Sequence, residues 1–457
     1  MSKVFRAALL GIVALLPACA GTATVPRVTP PSSAPASSSA SSDAIDYRKA
    51  LEEAHERLVK KQAGNPSEVI AEASQSSSMP VPEQESIAGA LRLFSTRLKP
   101  SIQTSLNRSA RFRSRIDEIL REYRLPAALA YLPVIESAFV PTLTSRAGAH
   151  GIWQFMEATA REYGLRVDWW VDERADPEKS TLAAARYLRD LHRQFGDWPL
   201  ALAAYNAGPG RIRRAMSQTG ATTFWELSDM VAIPKETRGY VPTFYATVLI
   251  TSDPPAHGFK LTEPEASQES QVRITGPVSL GFLAESAGLD EKTLQQLNPQ
   301  LRRGLVPPGN IIIRVPAGAA GRFGSLGASI RDEDPSIRIS SFTLRGGDSL
   351  ESLADLLDLP VKDIVDINKP LSTRPAREGD SVYLPLRREE LTTRLRGLTG
   401  HAAQYEVAGG DTLYSIATRH GMSVEELREA NGLSSEAVIR PGDRLILPSS
   451  VSVQTGM

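Results

Sequence analysis

The length and charge of the chain set the first limits on its organisation. At 457 residues the chain exceeds a single ordinary hydrophobic core, so several domains are expected. Lysine and arginine number 52 and so do aspartate and glutamate, which leaves a formal net charge of zero and gives no indication of a nucleic-acid partner. The six histidines are scattered, with no H-E-x-x-H or Cys/His cluster, so the sequence predicts no metal site and no cofactor.

The N-terminus has the pattern of an export signal. Lys3 and Arg6 precede the apolar run AALLGIVALLPA, which is too short to span a bilayer permanently. The only cysteine, Cys19, ends the segment LLPAC, which resembles a bacterial lipobox. The resemblance implies removal of a signal peptide, 1–18, and lipidation of Cys19, which would anchor the chain in the outer membrane, facing the periplasm. The alternative is an ordinary signal peptide followed by an incidental free thiol.

Three regions of different texture follow the signal. Residues 19–45 are rich in Pro, Ser, Thr and Ala, which cannot build a core, and they are predicted to form a disordered tether. Residues 46–105 are a polar, partly helical lead-in with no predicted function. From 106 to 255 apolar residues recur at helical spacing, as at Ile116 and Ile119, and strand patterns are nearly absent. This region is predicted to be an all-helical domain of normal size.

Four short motifs lie in the helical region: ESAF at 136, GIWQFM at 151, AYNAG at 204 and ETRGYVP at 236. In this order and spacing they resemble the catalytic domain of the soluble-type lytic transglycosylases, whose all-α fold is that of goose-type lysozyme. GIWQ departs from the Gly-Leu-Met-Gln of that family, and the departure is similar to a membrane-bound subgroup within it. The resemblance implies an enzyme that cleaves the bond between N-acetylmuramic acid and N-acetylglucosamine in peptidoglycan.

Glu136 is the predicted catalytic acid. Breaking a glycosidic bond requires an acid that keeps its proton near neutral pH, whereas the pKa of a free Glu is about 4.3. Burial among apolar groups raises the pKa of a carboxyl group. The apolar neighbours in sequence are Leu132, Val134, Ile135, Ala138 and Phe139. The alternative is an ordinary Glu on the solvent face of a helix.

A single carboxylate is sufficient under this resemblance. Glycoside hydrolases generally have a second carboxylate as nucleophile or base, but no other acid lies between Glu136 and Glu157. The family implies that the N-acetyl group of the substrate stabilises the charge at C1. The same Glu then deprotonates the C6 hydroxyl, which attacks C1 and leaves a 1,6-anhydromuramoyl end. Two alternatives stay open: a hydrolytic muramidase on the same fold, and an inactive wall-binding scaffold lipoprotein.

Further site residues are implied by the resemblance. Ser145 would orient the N-acetyl group or the acid, with a turn hydroxyl as the alternative, and Gln154 would bind the glycan, with a backbone-bonded core amide as the alternative. Trp153 and Phe155 are expected either to stack on sugar rings or to lie in the core. Four residues of the two later motifs would line and close the cleft: Tyr205, Asn206, Glu236 and Tyr240.

The C-terminal part contains an internal repeat. Segments 341–386 and 404–448 both carry a Gly-Asp turn, two helix patterns and a closing strand, and they resemble βααβ LysM modules. From the Asp of that turn to an Asn at the end of the second helix there are 20 positions in both copies, Asp348–Asn368 and Asp411–Asn431. Such agreement indicates a true repeat of small α+β modules.

A third, degenerate copy is predicted at 272–316, where the turn lacks Gly-Asp and glycan binding is therefore in doubt. LysM modules bind N-acetylglucosamine-containing glycans between their strand–helix and helix–strand loops. In the last module these loops contain Gly410, Asp411, Thr412, Leu413, Ile439, Arg440 and Pro441. The alternative is that these residues only build turns. Repeated weak binding would hold the catalytic domain close to peptidoglycan strands, the predicted partner.

Overall fold

The computed structural model describes most of the chain after residue 78. The described residues are 79–264, 268–324, 339–344, 348–369, 374–377, 379–399, 403–420, 422–434 and 437–447. The predicted signal peptide, the tether with Cys19 and the lead-in up to residue 78 lie outside them. Within this described part, no helix is both long and apolar enough to cross a membrane.

Residues 79–264 form a helical domain without a β-strand. Its helices are α1 (Glu85–Ser95), α2 (Lys99–Glu122), α3 (Leu132–Ser137), α4 (Glu157–Glu162), α5 (Pro177–Phe195), α6 (Trp198–Ala207), α7 (Pro209–Thr219), α8 (Phe224–Asp229) and α9 (Lys235–Ser252). Short 3₁₀ turns at Ala127–Tyr131, Glu173–Ala175 and Pro255–His257 connect or follow them. The all-helical prediction for residues 106–255 is confirmed.

Local signals in the sequence set the ends of α6, which carries the AYNAG motif, and of the preceding helix α5. The Asp176 carboxylate accepts hydrogen bonds from two N–H groups of the first turn of α5, and Asp197 does the same for one N–H of α6. Both helices end at glycines with positive φ, Gly196 at 70° and Gly208 at 87°. The motif residues at the end of α6 are therefore held at a fixed helix terminus.

Helix α9 is the central element of the domain. From Thr237 to Ile250 nearly every residue is buried, and the helix packs against α1, α6 and α3. Because α3 carries Glu136 and α9 carries the last of the four motifs, their packing brings together residues that are about a hundred positions apart in sequence.

Three small units follow the helical domain, each with one two-stranded antiparallel sheet and two short helices. The first contains β1 (Glu269–Ser279), α10 (Leu280–Ala287), α11 (Glu291–Leu297) and β2 (Leu305–Pro316), followed by α12 (Ala320–Gly324). The second contains β3 (Ser340–Thr343), α13 (Leu350–Leu356), α14 (Val361–Asn368) and β4 (Ser381–Leu384). After α15 (Arg388–Thr399), the third contains β5 (Ala403–Glu406), α16 (Leu413–Arg419), α17 (Val424–Ala430) and β6 (Arg444–Leu447). The βααβ prediction is confirmed for all three.

The repeated Asn has the same structural role in each unit. In Asn298, Asn368 and Asn431 the amide nitrogen donates to a carbonyl of its own helix and, at 2.7 Å, to one on the closing strand. The amide oxygen accepts the N–H of that same strand residue at 2.6–2.8 Å. The strand residues are Arg314, Tyr383 and Ile446. The constant spacing therefore fixes the second helix to the last strand, a folding requirement independent of any ligand.

Candidate active site

Glu136 lies in the last turn of the short helix α3 and is half-buried. The helix ends at Ser137, and the next residue, Ala138, has a left-handed backbone with φ at 51°, followed by Phe139 with φ at 58°. Positive φ is uncommon for residues other than glycine, and consecutive instances cluster at functional sites because surrounding packing must hold them. The chain is thus forced away from the helix directly after the predicted acid.

The apolar neighbours of Glu136 are buried, as the sequence predicts. Leu132 and Val134 are fully buried, and the other three keep at most 8% of their surface exposed. Phe139 stacks on Phe112 with ring centroids 6.1 Å apart and nearly parallel planes. Water is therefore excluded from the flanks of α3, which disfavours a charged carboxylate in that position.

Tyr240 of α9 makes a direct contact with the predicted acid. Its hydroxyl donates a hydrogen bond of 2.5 Å to Oε1 of Glu136, and only 4% of Tyr240 is exposed. Burial, followed by the negative charge of Glu136, raises the pKa of Tyr240 well above its usual value. The phenol therefore stays protonated over the ordinary pH range and remains a donor to the carboxyl group.

Tyr205 approaches the same centre from α6. Its hydroxyl donates at 2.8 Å to the carbonyl of Trp153, and its ring packs against Tyr187 and Phe155 with centroids 5.3 and 6.3 Å away. Burial and then the charge of Glu136 raise the pKa of Tyr205 well above 10. This second neutral phenol links the AYNAG motif to the loop that contains GIWQ.

Asn206 is held by the first turn of α9. Its Nδ2 donates to Oε1 of Glu236 at 3.4 Å, and the Thr237 hydroxyl donates to its Oδ1 at 2.8 Å. Glu236 is exposed, and its charge contributes to the raised pKa of Tyr240. Of the four residues predicted from the two later motifs, Tyr240 bonds directly to Glu136, Asn206 and Glu236 bond to each other, and Tyr205 lies within the electrostatic influence of Glu136.

Ser145 and Gln154 bond to the backbone of the loop 143–155. The Ser145 hydroxyl accepts the N–H of Ala149 at 3.0 Å, and Nε2 of Gln154 donates to the carbonyls of Leu143 and Gly151 at 3.0 and 2.8 Å. These are the turn hydroxyl and the backbone-bonded amide that the sequence left as alternatives. Both residues order the loop, and their glycan contacts stay predictions.

Both aromatic residues of GIWQFM lie in the core. Trp153 is fully buried and its Nε1 donates to the Thr181 hydroxyl at 2.8 Å, while Phe155 is 3% exposed. Of the two expectations for Trp153 and Phe155, packing in the core is therefore the one observed. Their role at the site is to hold the backbone of the loop against α5.

Ser137 is a site-forming residue that the sequence reasoning did not single out. It is buried beside Glu136, and its hydroxyl donates at 2.8 Å to the carbonyl of Ile152, which fastens α3 to the loop 143–155. Thr237, described above, was likewise not anticipated. Both residues lie within the motifs ESAF and ETRGYVP, but their hydrogen-bond partners are not visible from the sequence.

In the last unit, the residues predicted to bind glycan are the ones whose hydrogen bonds and backbone build the turn. Asp411 accepts from the Tyr405 hydroxyl at 2.6 Å and from the N–H of Ala408 at 2.9 Å, and the Tyr405 bond is the main reason that the pKa of Asp411 is lowered. Thr412 caps α16, and Gly410 has φ at 94°. These predicted residues thus have turn-building roles, with Leu413 buried below them.

Exposed apolar side chains lie beside both predicted loops of this unit. Tyr414 follows the first loop with 72% of its surface exposed, and Val438 precedes the second with 83% exposed. At the second loop the Arg440 N–H donates to Asp443 at 2.7 Å, Ile439 is half-buried and Pro441 is exposed. Tyr414 and Val438 were not among the predicted residues, although exposed apolar groups can mark a binding surface.

Comparison with known proteins identifies the parts of the chain. A family model described as Transglycosylase SLT domain matches residues 116–228, one described as LysM domain matches 405–448, and one described as Lytic transglycosylase MltD, LysM-like domain matches 268–332. These matches lie within the helical domain, over the last unit and over the first unit, respectively.

Three individual proteins are similar to parts of this chain or to most of it. The soluble lytic murein transglycosylase of Escherichia coli K12 is 34% identical over 117 residues, 24% of this chain and 18% of that protein. The crystal structure of the 70 kDa soluble lytic transglycosylase from Escherichia coli aligns with 33% of this chain and 25% of that chain at a TM-score of 0.25 and 27% identity. The membrane-bound lytic murein transglycosylase D of Escherichia coli K12 is 32% identical over 344 residues, 72% of this chain and 74% of that protein. The chain therefore belongs to the family of lytic murein transglycosylase D, enzymes with a helical SLT domain and LysM domains.

Proposed function

We propose that this enzyme cleaves the β-1,4 bond between N-acetylmuramic acid and N-acetylglucosamine in peptidoglycan and leaves 1,6-anhydromuramoyl ends. Glu136 acts first as the acid and then as the base. The observation that carries the proposal is the 2.5 Å bond from the buried Tyr240 hydroxyl to a half-buried carboxyl group with apolar flanks. A single carboxyl group in such surroundings is suited to move a proton twice.

In the first step, protonated Glu136 donates its proton to the oxygen that leaves C1 of the muramoyl unit, and the C1–O bond breaks. The N-acetyl oxygen of the same sugar stabilises the positive charge at C1. In the second step, the Glu136 carboxylate takes the proton of the C6 hydroxyl, and O6 bonds to C1. No water is consumed, and Glu136 recovers its proton.

Opposed surroundings allow Glu136 to serve in both steps. The apolar flank formed by Leu132, Val134 and Phe139 favours the neutral acid, which is needed first. The Tyr240 hydroxyl donates to Oε1 and favours the carboxylate, which is needed second. Because Tyr240 stays protonated, this donor is present in both states and also fixes the orientation of the carboxyl group.

Tyr240→Phe is expected to slow turnover roughly 10- to 100-fold, since a hydrogen bond to a charged group contributes about 1.5–3 kcal/mol. Removing a donor to the carboxylate makes the charged form of Glu136 less stable relative to the neutral acid. The alkaline limb of the kcat–pH profile, where the acid loses its proton, should therefore move to higher pH. Tyr245→Phe is the matched control, because it removes a buried phenol five residues further along α9. A profile unchanged by Tyr240→Phe would remove the proposed role of this donor.

Hydrolysis is the second candidate, and Glu236 is the observation that favours it. A hydrolase requires a carboxylate to activate water, and the charge of Glu236 acts on the same Tyr240 that contacts Glu136. Glu236 is exposed and bonded to Asn206, and these observations fit equally a residue that only holds Asn206 in the cleft.

Product analysis in water enriched in heavy oxygen separates the two reactions. Sacculi digested by the wild-type enzyme should give products one water lighter than hydrolysis products, with no heavy oxygen at the new ends. Glu236→Gln should leave this product type unchanged. Labelled reducing ends from the wild type, lost in Glu236→Gln, would instead establish hydrolysis. If the wild-type enzyme released neither kind of product, the inactive scaffold would be favoured.

We also propose the cellular arrangement. The lipobox resemblance at Cys19 and similarity to a protein named as membrane-bound support an outer membrane lipoprotein that faces the periplasm. The proposed organisation is a tether, 19–45, a catalytic domain, 106–255, and modules at 272–316, 341–386 and 404–448. The modules would hold glycan strands near the cleft, with the loops around 410–413 and 439–441 as the binding surface of the last one.

A further inference from the structure

We infer that the first unit, 268–324, is a docking element that positions the catalytic loop, and that its helix–strand loop serves this contact rather than glycan binding. Only the expected effect on turnover rests on the proposed function; the docking contact itself does not. The contact is made through residues 168–176 of the helical domain, which we name the bridging segment. It lies between α4 and α5 and contains the 3₁₀ turn Glu173–Ala175.

Backbone pairing joins the bridging segment to the first unit. The N–H of Asp172 donates to the carbonyl of Gln300 at 2.9 Å, and the N–H of Arg302 donates to the carbonyl of Trp170 at 2.8 Å. Between these bonds the two segments form a short antiparallel bridge. Such pairing fixes distance and register, unlike contacts between flexible side chains.

Trp170 inserts into the core of the first unit. Its side chain is fully buried among residues such as Val278 and Val306, which belong to the strands of the unit. Its Nε1 also donates at 2.9 Å to the carbonyl of Ile367, and its ring meets that of Tyr383 edge-on at 6.1 Å. One tryptophan of the catalytic domain thus ties the first and second units together.

Arginines of the first unit complete the contact. The guanidinium of Arg302 donates to the carbonyl of Asp168 at 2.7 Å, and that of Arg303 donates to the carbonyl of Trp169 at 2.7 Å while lying 4.2 Å from its ring. At the other end, the guanidinium of Arg314 donates to both oxygens of the buried Asp176 at 2.8 and 3.2 Å. The bridging segment is held along its whole length.

Arg174 transmits this contact to the catalytic loop. It is 7% exposed and forms a two-point pair with Asp172 at 2.9 and 2.8 Å. Its remaining Nη1 donates to the carbonyls of Gly148 and Phe155 at 2.8 and 3.1 Å, the two ends of the GIWQ turn. The carbonyl of Ile152 in that turn accepts the hydrogen bond from Ser137, the residue next to Glu136. The position of the bridging segment therefore determines the position of the loop that holds Glu136 in place.

The loop used for docking is the one that is exposed in the last unit. Counted from the repeated Asn, Leu305 of the first unit and Val438 of the last occupy the same place, seven positions on. Val438 is 83% exposed, whereas Leu305 is 9% exposed and lies in the core that includes Trp170. A glycan cannot use the same surface of the first unit while the bridging segment occupies it.

The double variant Arg302→Ala/Arg303→Ala in the full-length enzyme tests the inference, because both side chains are exposed and their loss should not unfold either domain. We expect amide hydrogen exchange in residues 148–155 to become about tenfold faster. On soluble glycan chains kcat should fall about fivefold or more, with KM within about twofold. Arg322→Ala is the control: it also removes an arginine that bonds backbone carbonyls of this unit, away from the bridging segment, and should change neither quantity.

Three results would overturn the inference. They are unchanged exchange in 148–155, faster exchange with unchanged kcat, and loss of sacculus binding without a change in exchange, which would make the loop a glycan site. Failure of the proposed function is seen separately, in the product type of the wild type, and the exchange measurement requires no turnover. The two hypotheses therefore fail in distinguishable ways.

Discussion

Glu136→Gln is expected to reduce the release of anhydro-muropeptides from purified sacculi by at least about 10⁴-fold. General acid or base catalysis contributes about 10²–10⁴-fold, and here one residue supplies both proton transfers. The amide has nearly the same shape as the acid and still accepts the Tyr240 hydrogen bond through its oxygen, so the fold should be preserved. The measurement is product release by mass spectrometry, together with thermal unfolding and co-sedimentation with sacculi.

Glu157→Gln provides the matched control for this experiment. Glu157 is the next acid in the sequence, but it is exposed and pairs with Arg161 on the surface of α4, where ion pairs contribute little. It should keep wild-type turnover. Turnover by Glu136→Gln close to that of the wild type would rule out the single-carboxylate mechanism, whereas lost sacculus binding in that variant would point to a wider structural role.

The helical domain and the surroundings of Glu136 were predictable because their signals are local. Periodic apolar residues and terminal glycines define α5 and α6, and the apolar neighbours of Glu136 are its neighbours in sequence. The bond from Tyr240 was not predictable in this way. It depends on how α9 packs against α3, and the two residues are 104 positions apart.

The repeats show the same division between local and distant information. Equal spacing to the Asn predicted two of the three βααβ units, and the structure gives the reason in the bonds from that Asn to the closing strand in all three. The different use of the first unit was not predictable. Residues 168–176 carry no periodic pattern, and the burial of Trp170 results from elements that lie more than a hundred residues further along the chain.

Gly151→Ala is expected to be the most damaging small substitution in the catalytic loop. Gly151 has φ at 85°, and a Cβ there would lie 1.8 Å from the carbonyl oxygen of Arg174. That oxygen belongs to the backbone of the bridging segment, which is bonded to the first unit at Asp172 and Asp176, so it cannot move aside as a flexible side chain would. Overpacking of about 1–3 kcal/mol adds to about 1–2 kcal/mol for the left-handed backbone, which gives a total loss of roughly 3 kcal/mol in the free energy of unfolding.

Gly148→Ala separates the two contributions. Gly148 has nearly the same backbone, with φ at 84°, but its Cβ would have no neighbour within 4 Å. The free energy of unfolding of Gly148→Ala should therefore fall only by the backbone contribution, about 1 kcal/mol, and this variant should retain most activity. All five tryptophans lie between residues 153 and 225, so urea unfolding followed by tryptophan fluorescence reports on the helical domain and, through Trp170, on its contact with the first unit. If the two variants lost the same stability and the same activity, the contact between Gly151 and Arg174 would not determine the position of the loop, and the path from the first unit to Glu136 would lose its middle step.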